Sequence, residues 1–452
     1  MASSKHHTIL IEKLVAGGFG LGRLSDGMVV LVHHGLPGEK VIVREVDRRR
    51  DFISGSIIDI LAPSPDRITP PCPIYGRCGG CDLQHAAYKS QLRLKKEILT
   101  ESLQRAAGKI FSEYDVEIKP TIASPEEFGY RQRIRLQVDP EGRYGFFQTG
   151  SHDLVGIAEC PLANESINSV LRRFYDNDAF SELVRNCTFF ELLFNPGGKD
   201  IIVLLNFRRK PRPGDSLVAT ELLRTTAGLE SLLMMVEGHG LYDPANRSYT
   251  SQPPSLNRTF SSGRLEKDLI LTWEAGTFCQ INLAQNRNLI DHVLELLSGV
   301  PNSRILDLYC GHGNFSLPVS KIAGVVIGIE SQNGAVRSGE RNILLNGITN
   351  VSFVKSPVET GVDALIEAGE SFDTVILDPP REGAVTVVPK ICNLGAGHII
   401  YISCNPATLA RDLVLFHSSG FEPSLLTPVD MFPQTHHMES ITLLKRAVPA
   451  LG

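Results

Sequence analysis

The chain has 452 residues, 42% of them hydrophobic, with a mean hydropathy of −0.01, which predicts a soluble globular protein of about two to four domains. No run of about 18 apolar residues is present to span a membrane, and the opening MASSKHHTILIEKL has no apolar signal core, so a cytoplasmic protein without a membrane partner is expected. The net charge of −5 weighs mildly against a nucleic-acid partner, and nine cysteines without a secretory signal weigh against a disulfide scaffold and for metal ligation or thiolate chemistry. In chain order, short β-rich runs come first, at 8–15, 20–24, 28–33, 39–46 and 53–60. Gly17-Gly18, Asp26-Gly27 and Pro37-Gly38 supply the turns between them. That spacing predicts a small barrel of the OB type over 1–62. Ala62-Pro63-Ser64-Pro65 reads as a linker. An amphipathic helix follows over about 86–107, carried by Leu92, Leu94, Ile98, Leu99 and Leu103 and stopped by Gly108; it is a candidate to pack on the C-terminal part of the chain, 271–452.

From 118 to 270 strands dominate, at 133–138, 189–194, 200–207 and 232–237, with a helix within 210–226. From about 271 strands and helices alternate, with strands at 305–308, 325–329, 351–354, 374–377 and 398–402. This predicts a doubly wound, mostly parallel sheet, with 440–444 as an added edge strand. The expected fold class is therefore α/β and β. A barrel over 1–62 leads into a mixed α+β domain over 63–270, then a Rossmann-like domain over 271–452.

The run Ile305-Leu306-Asp307-Leu308-Tyr309-Cys310-Gly311-His312-Gly313-Asn314-Phe315 is a buried strand, a glycine turn and a helix start. Glycines there let a ligand approach the backbone, and Glu330 at the end of the next strand can accept ribose hydroxyls. The spacing is G-x-G rather than G-x-G-x-x-G, which disfavours a dinucleotide. The segment resembles motif I of class I S-adenosylmethionine methyltransferases. Asp378-Pro379-Pro380-Arg381 follows a strand at the same crevice, its prolines fixing an extended backbone. Amino methyltransferases carry an aromatic where Arg381 stands, which argues against that chemistry.

Ser403-Cys404-Asn405-Pro406 also follows a strand, just before an expected helix whose N-terminus should lower the Cys404 pKa. Carbon 5 of uracil is a weak nucleophile until a thiolate adds to carbon 6, and a base must later remove the carbon-5 proton. His436-His437-Met438-Glu439 supplies Glu439 as that base, with either histidine in support. The runs 403–412 and 437–439 resemble the two signatures of RNA (uracil-5-)-methyltransferases. Phe278-Cys279-Gln280-Ile281-Asn282 and 378–381 resemble that family's cofactor-side motifs. The resemblance implies Cys404 as nucleophile and Glu439 as base. It implies Gln280 and Asp378 at the junction of cofactor and uracil, and Tyr309, Asn314 and Glu330 on S-adenosylmethionine. Pro357 departs from the pattern, where relatives carry a polar side chain near the adenine.

Cys72, Cys78 and Cys81 are spaced C-x5-C-x2-C, and Cys160 is a fourth candidate; spacing alone allows zinc or an iron–sulfur cluster. The resemblance extends to the large-ribosomal-RNA branch of the family and implies a [4Fe–4S] cluster on these four. It also implies a TRAM-like RNA-binding barrel at the N-terminus. Phe19, Arg23 and the 48–50 arginines, with Arg131, Arg133 and Arg135 on one strand face, are the candidate RNA contacts. The expected activity is C5-methylation of a uridine in 23S rRNA by a monomer. The alternatives are an enzyme of the tRNA T-loop and a non-catalytic RNA-binding or ribosome-assembly protein.

Overall fold

The computed structural model describes residues 5–114 and 116–447; residues 1–4 and 448–452, within the expected terminal domains, lie outside it. Five strands, β1 (His6–Val15), β2 (Phe19–Arg23), β3 (Val29–Val32), β4 (Lys40–Arg48) and β5 (Phe52–Ala62), close into a barrel in the order β1-β2-β3-β5-β4. Alternate residues point inward, so Ile9, Ile11, Val30, Val32, Val41, Val43 and Ile53 fill the interior.

Helix α1 (Tyr88–Glu113) passes the expected stop at Gly108 through a kink at Ala107 (φ −127°, ψ 18°). Ala107 and Ile110 are buried and Phe111 packs against the core of the C-terminal sheet. Their burial outweighs the penalty of about 1 kcal/mol for a helical glycine. Leu99 and Leu103 of α1 belong to that core. After α1, β6 (Glu117–Ile118) pairs with a strand near the chain's end.

The central region forms a sheet of eight strands. In chain order its elements are β7 (Arg133–Val138), β8 (Tyr144–Phe147), β9 (Leu154–Gly156), α2 (Glu165–Tyr175), α3 (Asp178–Val184), β10 (Cys187–Asn195), β11 (Asp200–Phe207), α4 (Pro213–Thr225), β12 (Leu229–Val236), β13 (Gly240–Asp243) and β14 (Ser248–Thr250). The hairpin β15 (Ser255–Phe260) and β16 (Leu269–Glu274) leads on to α5 (Leu283–Ser298).

The last sheet takes β17 (Arg304–Leu308), β18 (Val325–Glu330), β19 (Val351–Lys355), β20 (Thr374–Leu377), β21 (His398–Ser403), β22 (Phe421–Val429) and β23 (Glu439–Arg446). Its helices are α6 (Ser316–Val319), α7 (Asn333–Leu345), α8 (Val358–Glu367), α9 (Val388–Ile391) and α10 (Pro406–Ser418). The order is β19-β18-β17-β20-β21-β23-β22-β6, with the first five parallel. The expected edge strand is instead interior: β23 runs antiparallel between β21 and β22. Pro423 and Pro428 hid β22 by breaking its apolar pattern, and its register shifts between Pro423 and Leu425.

Candidate active site

At the carboxyl edge of the last sheet, the glycine turn after β17 holds Tyr309, Gly311 and Gly313 at positive φ (61°, 57° and 90°). A Cβ on Gly313 would meet Leu317 at 2.8 Å, whereas one on Gly311 would enter open space. Gly311 therefore borders the cleft, and Gly313 packs the turn onto α6. Tyr309 is a non-glycine residue in a conformation that costs about 1–2 kcal/mol. Glu330, ending β18, accepts from Gly311 N at 3.1 Å and Gln332 N at 2.7 Å. Asn314 exchanges amide hydrogen bonds with Asn286 at 2.8 and 3.1 Å, tying the turn to α5. Asp307 lies buried beneath the turn and accepts from Ser316 Oγ; burial pushes its pKa up to about 7. Gln280 is buried just before α5, Phe278 beside it is 61% exposed, and Pro357 precedes α8.

Asp378 follows β20, its amide donating to Leu308 O at 3.3 Å. The loop beyond it is fastened to α10. Arg381 O accepts from Asn405 Nδ2 (3.3 Å) and Thr408 Oγ1 (3.2 Å), and Glu382 O accepts from Arg411 Nη2 (2.7 Å). Gly383 has φ 78°, and a Cβ there would lie 2.5 Å from Asp412 Oδ2. That same oxygen accepts from Ala384 N and Tyr401 Oη, each at 2.7 Å.

Cys404 follows β21 directly, before an α10 capped by the Asn405 side chain, which accepts from Ala407 N at 3.0 Å. The antiparallel β21–β23 ladder ends at the pair Ser403–Ser440; Cys404 follows the one and Glu439 precedes the other, so both stand at the same end of the ladder, where the Glu439 carboxylate acts on the thiol. The expected low Cys404 pKa is not what the structure gives. Burial pushes the thiol up to about 12, reinforced by the carboxylates of Glu439 and Asp378, while Arg381 opposes. One helix terminus does not offset desolvation and two nearby acids. Burial also raises Asp378 to about 7, with Asp307 adding, and raises Glu439 well above the ordinary carboxylate range, with Asp378 adding. Glu439 Oε2 is buried with no hydrogen-bond partner among the described residues.

The two histidines divide. His436 Nδ1 lies 2.5 Å from Asp82 Oδ2. His437 is held neutral, its pKa lowered to about 4 by burial and then by His436 and Arg381.

Cys72, Cys78, Cys81 and Cys160 line one cavity of about 110 Å³, with Arg131 in its wall. Among the described residues no three His, Cys, Asp or Glu side chains stand close enough to hold one metal ion. Burial raises the Cys81 thiol to about 12 and raises those of Cys78 and Cys160. The expected arginine face is not free for phosphate. Arg133 and Arg135 both bind Glu191 on β10, at 2.6 and 2.7 Å, and Arg131 precedes the strand. On the barrel, Arg48 pairs with Glu45 and Arg49 with Asp47, and Arg23 lies 3.6 Å from Glu12. Phe19 stands against His33 at 4.4 Å.

Residues 264–447 match the family model described as tRNA (Uracil-5-)-methyltransferase. The 23S rRNA (uracil(1939)-C(5))-methyltransferase RlmD of Vibrio parahaemolyticus is 31% identical over 98% of this chain and 97% of its own. The enzyme of the same name from Pseudomonas entomophila is 32% identical over 98% of this chain and 94% of its own. The chain belongs to the RNA (uracil-5-)-methyltransferase family. A solved structure of the Pyrococcus abyssi tRNA (uracil-54, C5)-methyltransferase with S-adenosyl-L-homocysteine covers 97% of this methyltransferase and 100% of its own chain, with a TM-score of 0.70 and 24% identity; this likeness speaks for the fold.

The sequence reading of the methyltransferase missed Asp412 and Tyr401. Asp412 stood inside the quoted 403–412 signature, but its buried bonds to Ala384 and Tyr401 join segments that only the fold brings together. It also missed Asn286, whose signal was its place one helical turn after the Asn282 cap.

Proposed function

We propose that this methyltransferase adds a methyl group to carbon 5 of a uridine in 23S rRNA, with Cys404 as nucleophile and Glu439 as base. The observation that carries this is that Cys404 and Glu439 flank the last pair of the β21–β23 ladder, Ser403–Ser440, with the Glu439 and Asp378 carboxylates near enough to act on the thiol. The Cys404 sulfur adds to carbon 6 of the uracil, and the electron pair moves onto the ring, making carbon 5 nucleophilic. S-adenosylmethionine, when bound, supplies an electrophilic methyl on a sulfonium, and leaves as S-adenosylhomocysteine. Glu439 then takes the carbon-5 proton; that electron pair restores the C5–C6 double bond and expels the Cys404 thiolate. Open space at Gly311 and the carboxylate of Glu330 above it suit a nucleoside cofactor, with Tyr309, Asn314, Gln280 and Asp378 around it. The target base must leave its stack to enter.

Cys72, Cys78, Cys81 and Cys160, which line one cavity, are read as the residues that would hold a [4Fe–4S] cluster, the group that the family resemblance implies. Arg131 in the wall would offset the anionic charge. The barrel over 1–62 is read as a TRAM-like RNA-binding module, 63–270 as the cluster domain and 271–452 as the methyltransferase domain, in a cytoplasmic monomer. No described helix is long and apolar enough to cross a membrane.

Ribosomal RNA is preferred to tRNA because the relatives of 31 and 32% identity over nearly the whole chain carry that substrate in their names. Two experiments test the reading. Mapping 5-methyluridine in RNA from cells with and without the gene should show one or more 23S rRNA positions lost; loss confined to tRNA would reassign the substrate. Anaerobically purified protein should carry about four irons per chain and a broad visible absorption. One zinc per chain would reverse that assignment.

A further inference from the structure

The loop that delivers Glu439, between β22 and β23, is clasped at its tip by a segment far away in the chain. Asp82 directly follows Cys81. Its carboxylate lies 2.5 Å from His436 Nδ1, its amide donates to Gln434 O at 3.2 Å, and the Leu83 amide donates to the same oxygen at 3.0 Å. Gln91 of α1 also holds Gln434: its Nε2 donates to Gln434 Oε1 at 2.9 Å and its Oε1 accepts from Gln434 N at 3.0 Å. Tyr130 Oη donates to Pro433 O at 3.0 Å. The β1–β2 turn closes over the same point, where a Cβ on Gly18 would lie 3.1 Å from His436 Cβ and 3.2 Å from Asp82 Cγ. Three residues after His436, Glu439 opens β23, next to the Ser440 that pairs with Ser403.

We propose that Asp82, through His436, is a positioning residue for the proton-removal step: the end of the cysteine loop sets where the Glu439 carboxylate sits over the uracil. The physical reason is the loop's own composition. Between Val429 and Glu439 it has no regular element, so its tip is defined by what grips it. Asp82–His436 is the charged one of the two side-chain grips on this loop, the other being Gln91–Gln434, and the uracil chemistry itself uses none of these four side chains. A base misplaced by about 1 Å loses rate by up to about a hundredfold while binding is untouched. The proposal rests on Glu439 acting as the base, and its test separates the two.

The test uses Asp82→Ala, Asp82→Asn and His436→Ala in the full chain, with an unmodified 23S rRNA transcript. Asp82→Ala should keep S-adenosylhomocysteine affinity and the KM for RNA within about twofold while kcat falls at least about tenfold. The covalent protein–RNA adduct should accumulate on denaturing gels, because addition proceeds and proton removal lags. Asp82→Asn, which can still bond His436, should recover most of the loss. His436→Ala should match Asp82→Ala, and the double variant should be no worse than either. Unchanged kcat, or parallel loss of cofactor binding, adduct and turnover, overturns the positioning role. A Glu439→Gln variant that turns over freely removes the base itself, and the proposal with it.

Discussion

Cys404 and Glu439 flank the last pair of the antiparallel β21–β23 ladder, Ser403–Ser440, the one following β21 and the other opening β23. The added strand does more than lengthen the sheet. A parallel neighbour would bring its own carboxyl end to this edge, whereas β23 begins here, so the residue that opens it stands beside the residue that follows β21.

Glu439→Gln should therefore separate the two halves of the reaction. The amide keeps the shape of the carboxyl but accepts no proton. Incubation with RNA and cofactor should yield methylated, covalently bound RNA that resists denaturation, at the expense of free product. Cys404→Ala should give neither adduct nor product, with cofactor binding preserved. An adduct in the alanine variant, or normal product release by the glutamine variant, would refute these roles.

The thiol at Cys404 should be a poor nucleophile in the empty site. Burial and the Glu439 and Asp378 carboxylates hold its pKa up to about 12. An ordinary cysteine thiol titrates near 8.5. Since the raised pKa favours the neutral thiol, the reactive thiolate should be scarce at neutral pH and grow steadily as pH rises toward about 12. The rate of modification of the Cys404 peptide by methyl methanethiosulfonate, followed by mass spectrometry from pH 7 to pH 11, would show this. S-adenosylmethionine brings a positive sulfonium to the two acids and should accelerate modification at pH 8. S-adenosylhomocysteine, which lacks that charge, should not. Equal effects of the two ligands would contradict the electrostatic account.

What the sequence made legible follows from range. The glycine turn, Glu330 and Ser403-Cys404-Asn405-Pro406 are local patterns: a buried strand, then residues whose backbone demands are met within a few positions. Their places at one sheet edge followed from strand–helix alternation. Other features were hidden. Among the elements these were β22, whose Pro423 and Pro428 interrupt the apolar period, the short strands β6, β8, β9, β13 and β14, the hairpin β15–β16, and the helices α2 and α3. So was every property set by distant partners. The Cys404 pKa depends on acids 26 residues before it and 35 after it in the chain, at Asp378 and Glu439. The Asp82–His436 contact spans 354 positions. Arg133 and Arg135 looked free for phosphate because Glu191 lies more than 50 residues away, on a strand paired with theirs.

Asp412 should matter for both stability and rate. It is fully buried and receives the Ala384 amide, the Tyr401 hydroxyl and the Arg411 guanidinium. Asp412→Ala leaves the first two donors without an acceptor, a loss of about 3 kcal/mol. The midpoint of urea unfolding should drop accordingly. The 378–384 segment, fastened to α10 through these bonds, should loosen, so kcat should fall more than stability at 25 °C alone requires. A variant with lowered midpoint and unchanged kcat would mean that the loop keeps its place without this anchor.

The buried pair Lys95–Asp430 offers a test of how α1 holds the catalytic sheet. Both side chains are fully buried, with Nζ 2.5 Å from Asp430 Oδ1 and 3.0 Å from Phe432 O. Removing one partner strands a charge in a dry interior, so Lys95→Met or Asp430→Leu alone should destabilise by about 3–5 kcal/mol. The double variant replaces both charges with apolar volume and should regain most of that loss, because desolvating two ions offsets much of their attraction. Thermal unfolding of the four proteins, at one pH and salt concentration, gives the coupling energy directly. If the double variant is as unstable as the sum of the singles, the contact from Lys95 to Phe432 O, rather than the ion pair, is what binds α1 to the Glu439 loop.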